Sequence, residues 1–317
     1  MVQGRLRIWV VGLLALVVLF SGAVHGQSSG RVIYVDCALA ENGDGSSWGA
    51  AYNDLQDALA AAEPGDQIWI AEGVCYPAPD AYDLTASFEI TSGLALYGGF
   101  EGTETGVDER DWDTHVTVLS GDLDRNDRTD EHGVVTDTVG IVGRNAVHVV
   151  TADSLFAPIW VDGLTITAGK AYGSVRDGSG SGGGVFVREA DLSLDHVTVM
   201  GNEARIGGAG VYFHGYGGEV TLKDGRIIRN EVSGSLAAVG GGMLALAEDL
   251  GLEDVTFSGN RSEHGGGLGA ECLTATLKSV RFERNAAVGG NGEGGGMWGS
   301  VSVLSMTDVD FYENHAQ

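Results

Sequence analysis

The most constraining feature of this sequence is a phrase that returns along its second half. Each copy contains an apolar or aromatic residue, an asparagine three positions later and then a cluster of glycines, as in "FSGN" followed by "GGG" at residues 257–267. Glycine accounts for 52 of 317 residues and proline for 4, without a Gly-X-Y period, which excludes a collagen-like chain. A phrase that returns every 25 to 32 residues is typical of stacked, similar coils.

Cutting the chain after each glycine cluster gives four complete units and one incomplete unit. They span residues 185–210, 211–242, 243–267, 268–296 and 297–317. Apolar and polar residues alternate within them, as in "LSLDHVTVMGN", which is a strand pattern and not the period of a helical repeat. The L-x-x-L-x-L frame of leucine-rich repeats is absent. The sequence therefore predicts an all-β fold, a parallel β-helix. The fixed phase of asparagine and glycine argues against the alternative, a two-sheet sandwich.

Stacking explains why the same residue types return. Successive coils lie about 4.8 Å apart, so each position meets its counterpart above and below. We expect Phe257, Phe282 and Phe311 to stack inside the coil, and an amide ladder to bond to the turn backbone. The amide ladder consists of Asn202, Asn230, Asn260, Asn285 and Asn314. With the corner glycines, these residues are predicted to build the coil and not a catalytic or phosphate site.

Residues 1–26 have the features of a secretory signal peptide. Arg5 and Arg7 precede an apolar stretch at residues 8–20, and small residues follow it. The apolar stretch is too short to cross a bilayer comfortably. Nothing later in the mature chain has the pattern of a transmembrane helix. We therefore expect a secreted protein.

Export makes disulfides feasible, and the chain has three cysteines. Cys37 and Cys75 both lie early in the mature chain and could pair with each other. Cys272 lies in an apolar repeat, where we expect a buried thiol. The odd count requires at least one free thiol or an intermolecular bridge, and no C-x-x-C metal spacing is present.

Residues 27–120 are predicted to hold an N-terminal cap and the first coils. A short helix is expected there, because a solenoid must cover the core of its first coil. The apolar face of this helix consists of Leu55, Ala58, Leu59 and Ala62. Ser46 or Ser47 is predicted to cap its N-terminus.

Several of these segments resemble known proteins. The segment "DLQDALAAAEPGDQIWIAEGVCYP" resembles the opening of right-handed parallel β-helix proteins of the pectate-lyase-like superfamily. The segment "LALYGGFEGTETGVDERDW" looks like a subgroup of large secreted bacterial β-helix proteins, and the GG-G-[VML] and F-x-x-N phrases resemble polymorphic outer membrane protein repeats. The resemblance covers residues 31–317. It implies a right-handed single-stranded solenoid, extracellular or at a bacterial outer-membrane surface, whose repeat region at 145–317 is truncated at its C-terminus.

Residues 121–144 form an acidic stretch that is predicted to be a loop insertion. Its candidate metal ligands are Asp122, Asp124, Asn126, Asp127 and Asp130. The first three have the 1-3-5 spacing of an oxygen-rich Ca²⁺ loop. The motif is incomplete, since its sixth position is not glycine and its twelfth, Gly133, is not glutamate. The sequence favours a solvated acidic loop with no assigned cofactor, and a Ca²⁺ site is the alternative.

The charge balance narrows the class of partner. The chain has 44 acidic and 18 basic residues, a formal net charge of −26. Nucleic-acid binding needs clustered Lys and Arg, so we expect no nucleic-acid partner. A polyanionic substrate would need a local basic cleft or a bound cation.

Carbohydrate chemistry would need particular side chains. A lyase acting on uronates needs a base beside a cation, and a glycoside hydrolase needs two opposed carboxylates. The basic candidates are Lys223, Arg226 and Arg229 on one coil. The acidic candidates are Asp195, Asp254 and Asp308, which are predicted to share one place in the repeat. Both sets also fit solvated or structural charges at coil edges.

Histidines and tryptophans give weaker signals. His196, His214, His264 and His315 occupy different repeat phases and predict no site. The tryptophans that could stack on sugars are Trp48, Trp69, Trp112, Trp160 and Trp298. Most of these lie among apolar residues, which also fits core or cap positions.

These features together predict a secreted or cell-surface scaffold, adhesin-like and without catalysis of its own. The alternative is a carbohydrate-binding or polysaccharide-degrading β-helix, either a lyase or a glycoside hydrolase. The expected partner is an extracellular polysaccharide or the surface of a host or neighbouring cell.

Overall fold

The computed structural model describes residues 30–78, 80–174, 178–234, 238–289 and 292–317. The predicted signal peptide lies outside these residues. The described chain forms a right-handed parallel β-helix of about 8 coils, which confirms the all-β solenoid expected from the repeat. No helix within these ranges has the length and apolarity that crossing a bilayer requires.

Three parallel sheets make up the described solenoid. The first contains Val32–Val35, Gln67–Ala71, Phe88–Glu89, Ala95–Phe100, Val150–Asp153, Ile159–Asp162, Val185–Arg188, Leu192–Asp195, Val211–Lys223, Met243–Glu253, Leu268–Lys278 and Met297–Thr307. The second contains Gly73–Cys75, Thr117–Ser120, Leu164–Thr167, Thr198–Met200, Arg226–Ile228, Thr256–Ser258, Arg281–Glu283 and Asp310–Tyr312. The third contains Lys170–Ala171, Glu203–Ala204, Glu231–Val232, Arg261–Ser262, Ala286–Ala287 and His315–Ala316.

One coil visits the three sheets in turn. The strands of the first sheet are longer than the short strands that the repeat predicts: the four most C-terminal ones span 11 to 13 residues. A single residue with positive φ then turns the chain into the second sheet. In five successive coils this residue is His196, Asp224, Asp254, Ser279 or Asp308, with φ between 50° and 54°. An asparagine bend leads to the third sheet, and the glycine cluster returns the chain to the first.

The asparagines of the bend form a continuous hydrogen-bonded line. Asn260 Oδ1 accepts from the backbone N–H of Asn230 at 3.0 Å and from its Nδ2 at 3.2 Å. Asn260 Nδ2 donates to the carbonyl of Ile227 at 2.7 Å and to Asn285 Oδ1 at 3.0 Å. The same pattern joins Asn202 to Asn230 and Asn285 to Asn314. Because the first four asparagines are fully buried, their amides satisfy bend groups that water cannot reach.

The phenylalanines stack beside this line in the core. The rings of Phe257 and Phe282 lie 5.0 Å apart and those of Phe282 and Phe311 lie 4.9 Å apart. Phe257 and Phe282 are fully buried, whereas Phe311 is exposed in the last described coil. Each ring meets its counterpart because the strands pair in register, Phe257 with Phe282 and Phe282 with Phe311.

Helical structure in the described residues is short and precedes the repeat region. The α-helix spans Leu55–Ala61, and 3-10 helices span Trp48–Ala50, Val107–Glu109 and Thr138–Gly140. The prediction that Ser46 or Ser47 caps the α-helix is wrong. These serines precede the first 3-10 helix, and Asp54 caps the α-helix by accepting from the N–H of Gln56 at 2.9 Å. Leu55, Ala58 and Leu59 are buried against the first coils.

A disulfide ties this N-terminal region together. Cys37, just beyond the first strand, is bonded to Cys75 at the end of Gly73–Cys75. Cys272 is a free, buried thiol.

Removing one amide from the middle of the asparagine line should destabilise the fold. Asn260→Ala leaves the N–H of Asn230 and the carbonyl of Ile227 without their buried partner, at an expected cost of about 1 to 3 kcal/mol in the free energy of unfolding. The shift of the urea unfolding midpoint measures this cost. Asn314→Ala is the control, because Asn314 is partly exposed and only ends the line. Equal midpoints for the wild type and Asn260→Ala would refute a stabilising role.

Candidate functional site

A groove of about 590 Å³ lies over the turn between the first and second sheets. We call it the turn groove. Its edge is formed by the turn residues of four successive coils: Gly163, His196, Asp224 and Asp254. Its floor is formed by residues two positions later, on the second sheet: Thr165, Thr198, Arg226 and Thr256. Its wall is formed by Trp112, Asp113 and Val116.

The repeat positions the edge and floor of the turn groove. The left-handed turn is a conformation that Gly permits freely and that Asp and His adopt more often than most residues. The residue two positions later points outward from the second sheet, because side chains alternate along a strand. Each coil therefore presents one turn side chain and one strand side chain to the same surface.

The wall comes from a loop that leaves the first sheet after Phe100. Gly99 has φ +88°, and a Cβ there would lie 2.9 Å from the backbone of Trp112. The Gly99 carbonyl accepts from the N–H of Asp111 at 2.8 Å. Only glycine suits this close approach, which brings the loop against the solenoid.

A buried ion pair fixes the wall to the edge. Arg110 Nη2 lies 2.7 Å from Asp162 Oδ2, and the two side chains are only 7% and 14% exposed. The other oxygen of Asp162 lies 3.0 Å from Nδ1 of His196. Burial alone would raise the pKa of Asp162, but hydrogen bonds from His196 and Arg110 hold that pKa below its usual value. Asp162 is therefore ionised and orients both partners.

His196 is the most specifically positioned side chain of the turn groove. Its hydrogen bond to Asp162 is the main cause that raises its pKa, and burial works against this. Its Nε2 lies 3.7 Å from Asp224 Oδ2. Its ring packs against Trp112 with the centroids 3.9 Å apart, and the Arg110 guanidinium lies 5.2 Å from the Trp112 ring centre. With Nδ1 held by Asp162, Nε2 is the nitrogen that can exchange a proton with a ligand.

The basic residues predicted from one coil separate in the structure. Arg226 lies on the floor of the turn groove. Lys223 lies 3.9 Å from Asp224 and is exposed. Arg229 points toward the acidic loop and donates to the carbonyl of Thr136 at 3.4 Å.

The prediction that Asp195, Asp254 and Asp308 share one repeat position is wrong for Asp195. Asp195 pairs in register with Lys223, which pairs with Glu253, so Asp195 precedes the turn position by one residue. Asp254 and Asp308 occupy that position, and only Asp254 lines the turn groove. The turn residue of the Asp195 coil is His196, which the histidine pattern did not identify.

The predicted metal ligands lie together in the acidic loop but bond largely to its backbone. Asp122 accepts from the N–H groups of residues 126 and 127, at 3.1 and 2.9 Å. Asp124 accepts from the N–H of residue 144 at 3.1 Å, and Asp130 from that of residue 134 at 3.0 Å. Asp127 accepts from the N–H of residue 142 and from Asn145 Nδ2. Across the described ranges no three His, Cys, Asp or Glu side chains are grouped to hold a metal ion. Calcium binding stays a prediction.

Sequence reasoning missed the Arg110, Asp162 and His196 cluster. Arg110 and Asp162 are 52 residues apart, Asp162 and His196 are 34 residues apart, and the three share no motif. One feature of the sequence could have pointed to His196. The segment "WVDG" aligns with "SLDH", which places a histidine at the turn position. That position is glycine in the preceding coil and aspartate in the next two coils.

Comparison with known proteins supports the fold. No protein-family model and no curated protein matches the chain. The crystal structure of pectate lyase Pel9A is similar with a TM-score of 0.50 and 14% identity, over 83% of this chain and 56% of that one. Pectin methylesterase PemA from Erwinia chrysanthemi aligns with a TM-score of 0.40 and 11% identity, over 88% of this chain and 80% of that one. The chain thus has the pectate-lyase-like right-handed parallel β-helix fold and spans just over half the length of Pel9A.

The acidic loop should become more stable as the pH falls. Burial raises the pKa of Asp127 from 3.8 to about 6, so the folded protein binds a proton there that the unfolded chain releases between these values. Above pH 6 the buried charge destabilises the fold, and below about 4 its effect is gone. Asp127→Asn should therefore raise the free energy of unfolding at pH 7, by at most about 3 kcal/mol at about 1.4 kcal/mol per pH unit. The gain should vanish near pH 4.

Urea unfolding at pH 7 and pH 4 measures this effect, with Glu131→Gln as the control because the Glu131 side chain is 89% exposed. A gain from Asp127→Asn that is the same at both pH values would contradict the assignment.

The wild type and Asp122→Ala test calcium binding: millimolar Ca²⁺ should raise the melting temperature of the wild type and not that of Asp122→Ala. An unchanged wild type would end the calcium hypothesis.

Proposed function

We propose that the protein is a secreted scaffold that binds an extracellular polysaccharide in the turn groove. The residues that line the groove are the observation that supports this proposal. Threonine hydroxyls, aspartates and Arg226 follow one another over four coils, beside the aromatic ring of Trp112. Sugar hydroxyls donate to carboxylates and accept from guanidinium and hydroxyl groups, and an aromatic ring covers the apolar face of a sugar.

The fold gives this proposal further support. A solved protein with the same fold is a pectate lyase, so polysaccharide chemistry occurs on this architecture elsewhere. In this proposal the protein acts outside the cell or at a bacterial surface, where the solenoid holds the glycan without cleaving it. An adhesin-like role follows if the glycan belongs to another cell.

A polysaccharide lyase or glycoside hydrolase is the second candidate. The observation in its favour is His196, whose Nδ1 is fixed by Asp162 while its Nε2 faces Asp224 at the groove edge. An imidazole held in this way suits general acid or base chemistry. Assays of reducing ends and of the ultraviolet absorbance of unsaturated uronates, on the protein with a polysaccharide panel, separate the two candidates. Turnover that is lost in His196→Ala would establish the enzyme.

Binding should depend on the wall of the turn groove. Trp112→Ala removes the aromatic surface and should weaken retention on the bound polysaccharide about tenfold, as expected for truncation of a central tryptophan contact. Affinity electrophoresis through gels containing each glycan measures this retention. Trp298→Ala is the matched control, since Trp298 lies in the last described coil outside the groove. Equal loss in both variants, or no retention of the wild type on any glycan, would overturn the proposal.

A further inference from the structure

Resting on the proposed polysaccharide site, we infer the class of glycan and its direction. The turn groove takes a neutral chain that runs parallel to the solenoid axis, with one sugar ring per coil over four coils, and it rejects uronate chains.

The periodicity of the turn groove sets the direction. Its edge and floor repeat the same two positions in four successive coils. Because coils are spaced by about 4.8 Å, equivalent groups recur at that interval along the axis, over about 14 Å from first to fourth. A pyranose ring in an extended β-1,4-linked chain advances by a similar distance. Such a chain therefore presents one ring to each pair of turn and strand side chains.

The charges of the turn groove determine which class of glycan it binds. The carboxylates of its lining are those of Asp113, Asp224 and Asp254. The cations of its lining are Arg226 and, when protonated, His196. Acidic groups of the lining therefore outnumber its basic groups in either state of the histidine.

Two adjacent carboxylates oppose a uronate most directly. Asp224 and Asp254 are exposed and occupy the same turn position in successive coils. No hydrogen bond or salt bridge within the described ranges engages the carboxylate of Asp254. A uronate chain would bring one carboxylate per ring against this pair, whereas the hydroxyls of a neutral chain can donate to both. Against that repulsion the lining offers Arg226 and, when protonated, His196, while Lys223 lies 3.9 Å from Asp224 outside the lining.

The test compares two matched series of oligosaccharides. Titration calorimetry on the full chain uses neutral β-1,4-linked glucose oligosaccharides of two to six rings and β-1,4-linked oligoglucuronates of the same lengths, at low salt. Affinity for the neutral series should rise up to four rings and then level off, and the glucuronates should bind at least about tenfold more weakly.

Amide variants identify the groups responsible. The double variant Asp224→Asn with Asp254→Asn should reduce the difference in affinity between the two series about tenfold, because it removes two negative charges from the groove. Asparagine keeps the size of the side chain and tolerates the left-handed turn. Asp308→Asn is the control, since Asp308 has the same repeat position outside the groove, and it should leave the difference in affinity unchanged.

The outcomes separate this inference from the proposed function. Tighter binding of the glucuronates by the wild type, or an affinity difference between the two series that the double variant leaves intact, would overturn the inference while the polysaccharide site stands. A failure of both series to bind, together with loss of retention on every polymer, would overturn the site itself.

Discussion

The register between successive coils is the constraint on which the rest of the structure depends. It is maintained by the asparagine line, in which each buried amide bonds to the next asparagine and to a carbonyl of a neighbouring coil. A slip of one residue would turn Phe257 and Phe282 out of the core and leave these bend groups unsatisfied. A slip of register would therefore lose core packing and bend hydrogen bonds at the same time, so the coils stack in a single register.

The same register builds the turn groove. A turn residue and an outward strand residue recur in every coil. A functional surface therefore needs only suitable residue types at these two positions and a loop that bounds the surface on one side. The loop at residues 110–116 provides that wall, and the Arg110–Asp162 pair with His196 holds it. Burying an ion pair is costly unless each charge has a partner, and Asp162 has two. We interpret this cluster as serving the groove, because the other coils form the turn without it.

The sequence predicts the repeated parts of the molecule well because stacked coils require similar residue types at equivalent positions. The asparagine and phenylalanine positions follow from a single alignment of the units. The wall could not be predicted in this way, since Arg110, Asp162 and His196 come from three distant segments and meet only through tertiary packing. Asp195 precedes the turn by one residue, because six positions before Asn202 stands His196, as Asp254 stands six positions before Asn260, and backbone pairing gives the same register. Ser46 and Ser47 suggested a cap, but the chain makes a 3-10 turn before Asp54 begins the helix.

The most direct test of the account is a crystal structure of the protein with a neutral oligosaccharide of four or more rings. The account predicts sugar density along the turn groove, with one ring beside each of the turns at residues 163, 196, 224 and 254 and the Trp112 ring against the chain. Density over the third sheet or at the acidic loop, with an empty groove, would contradict it.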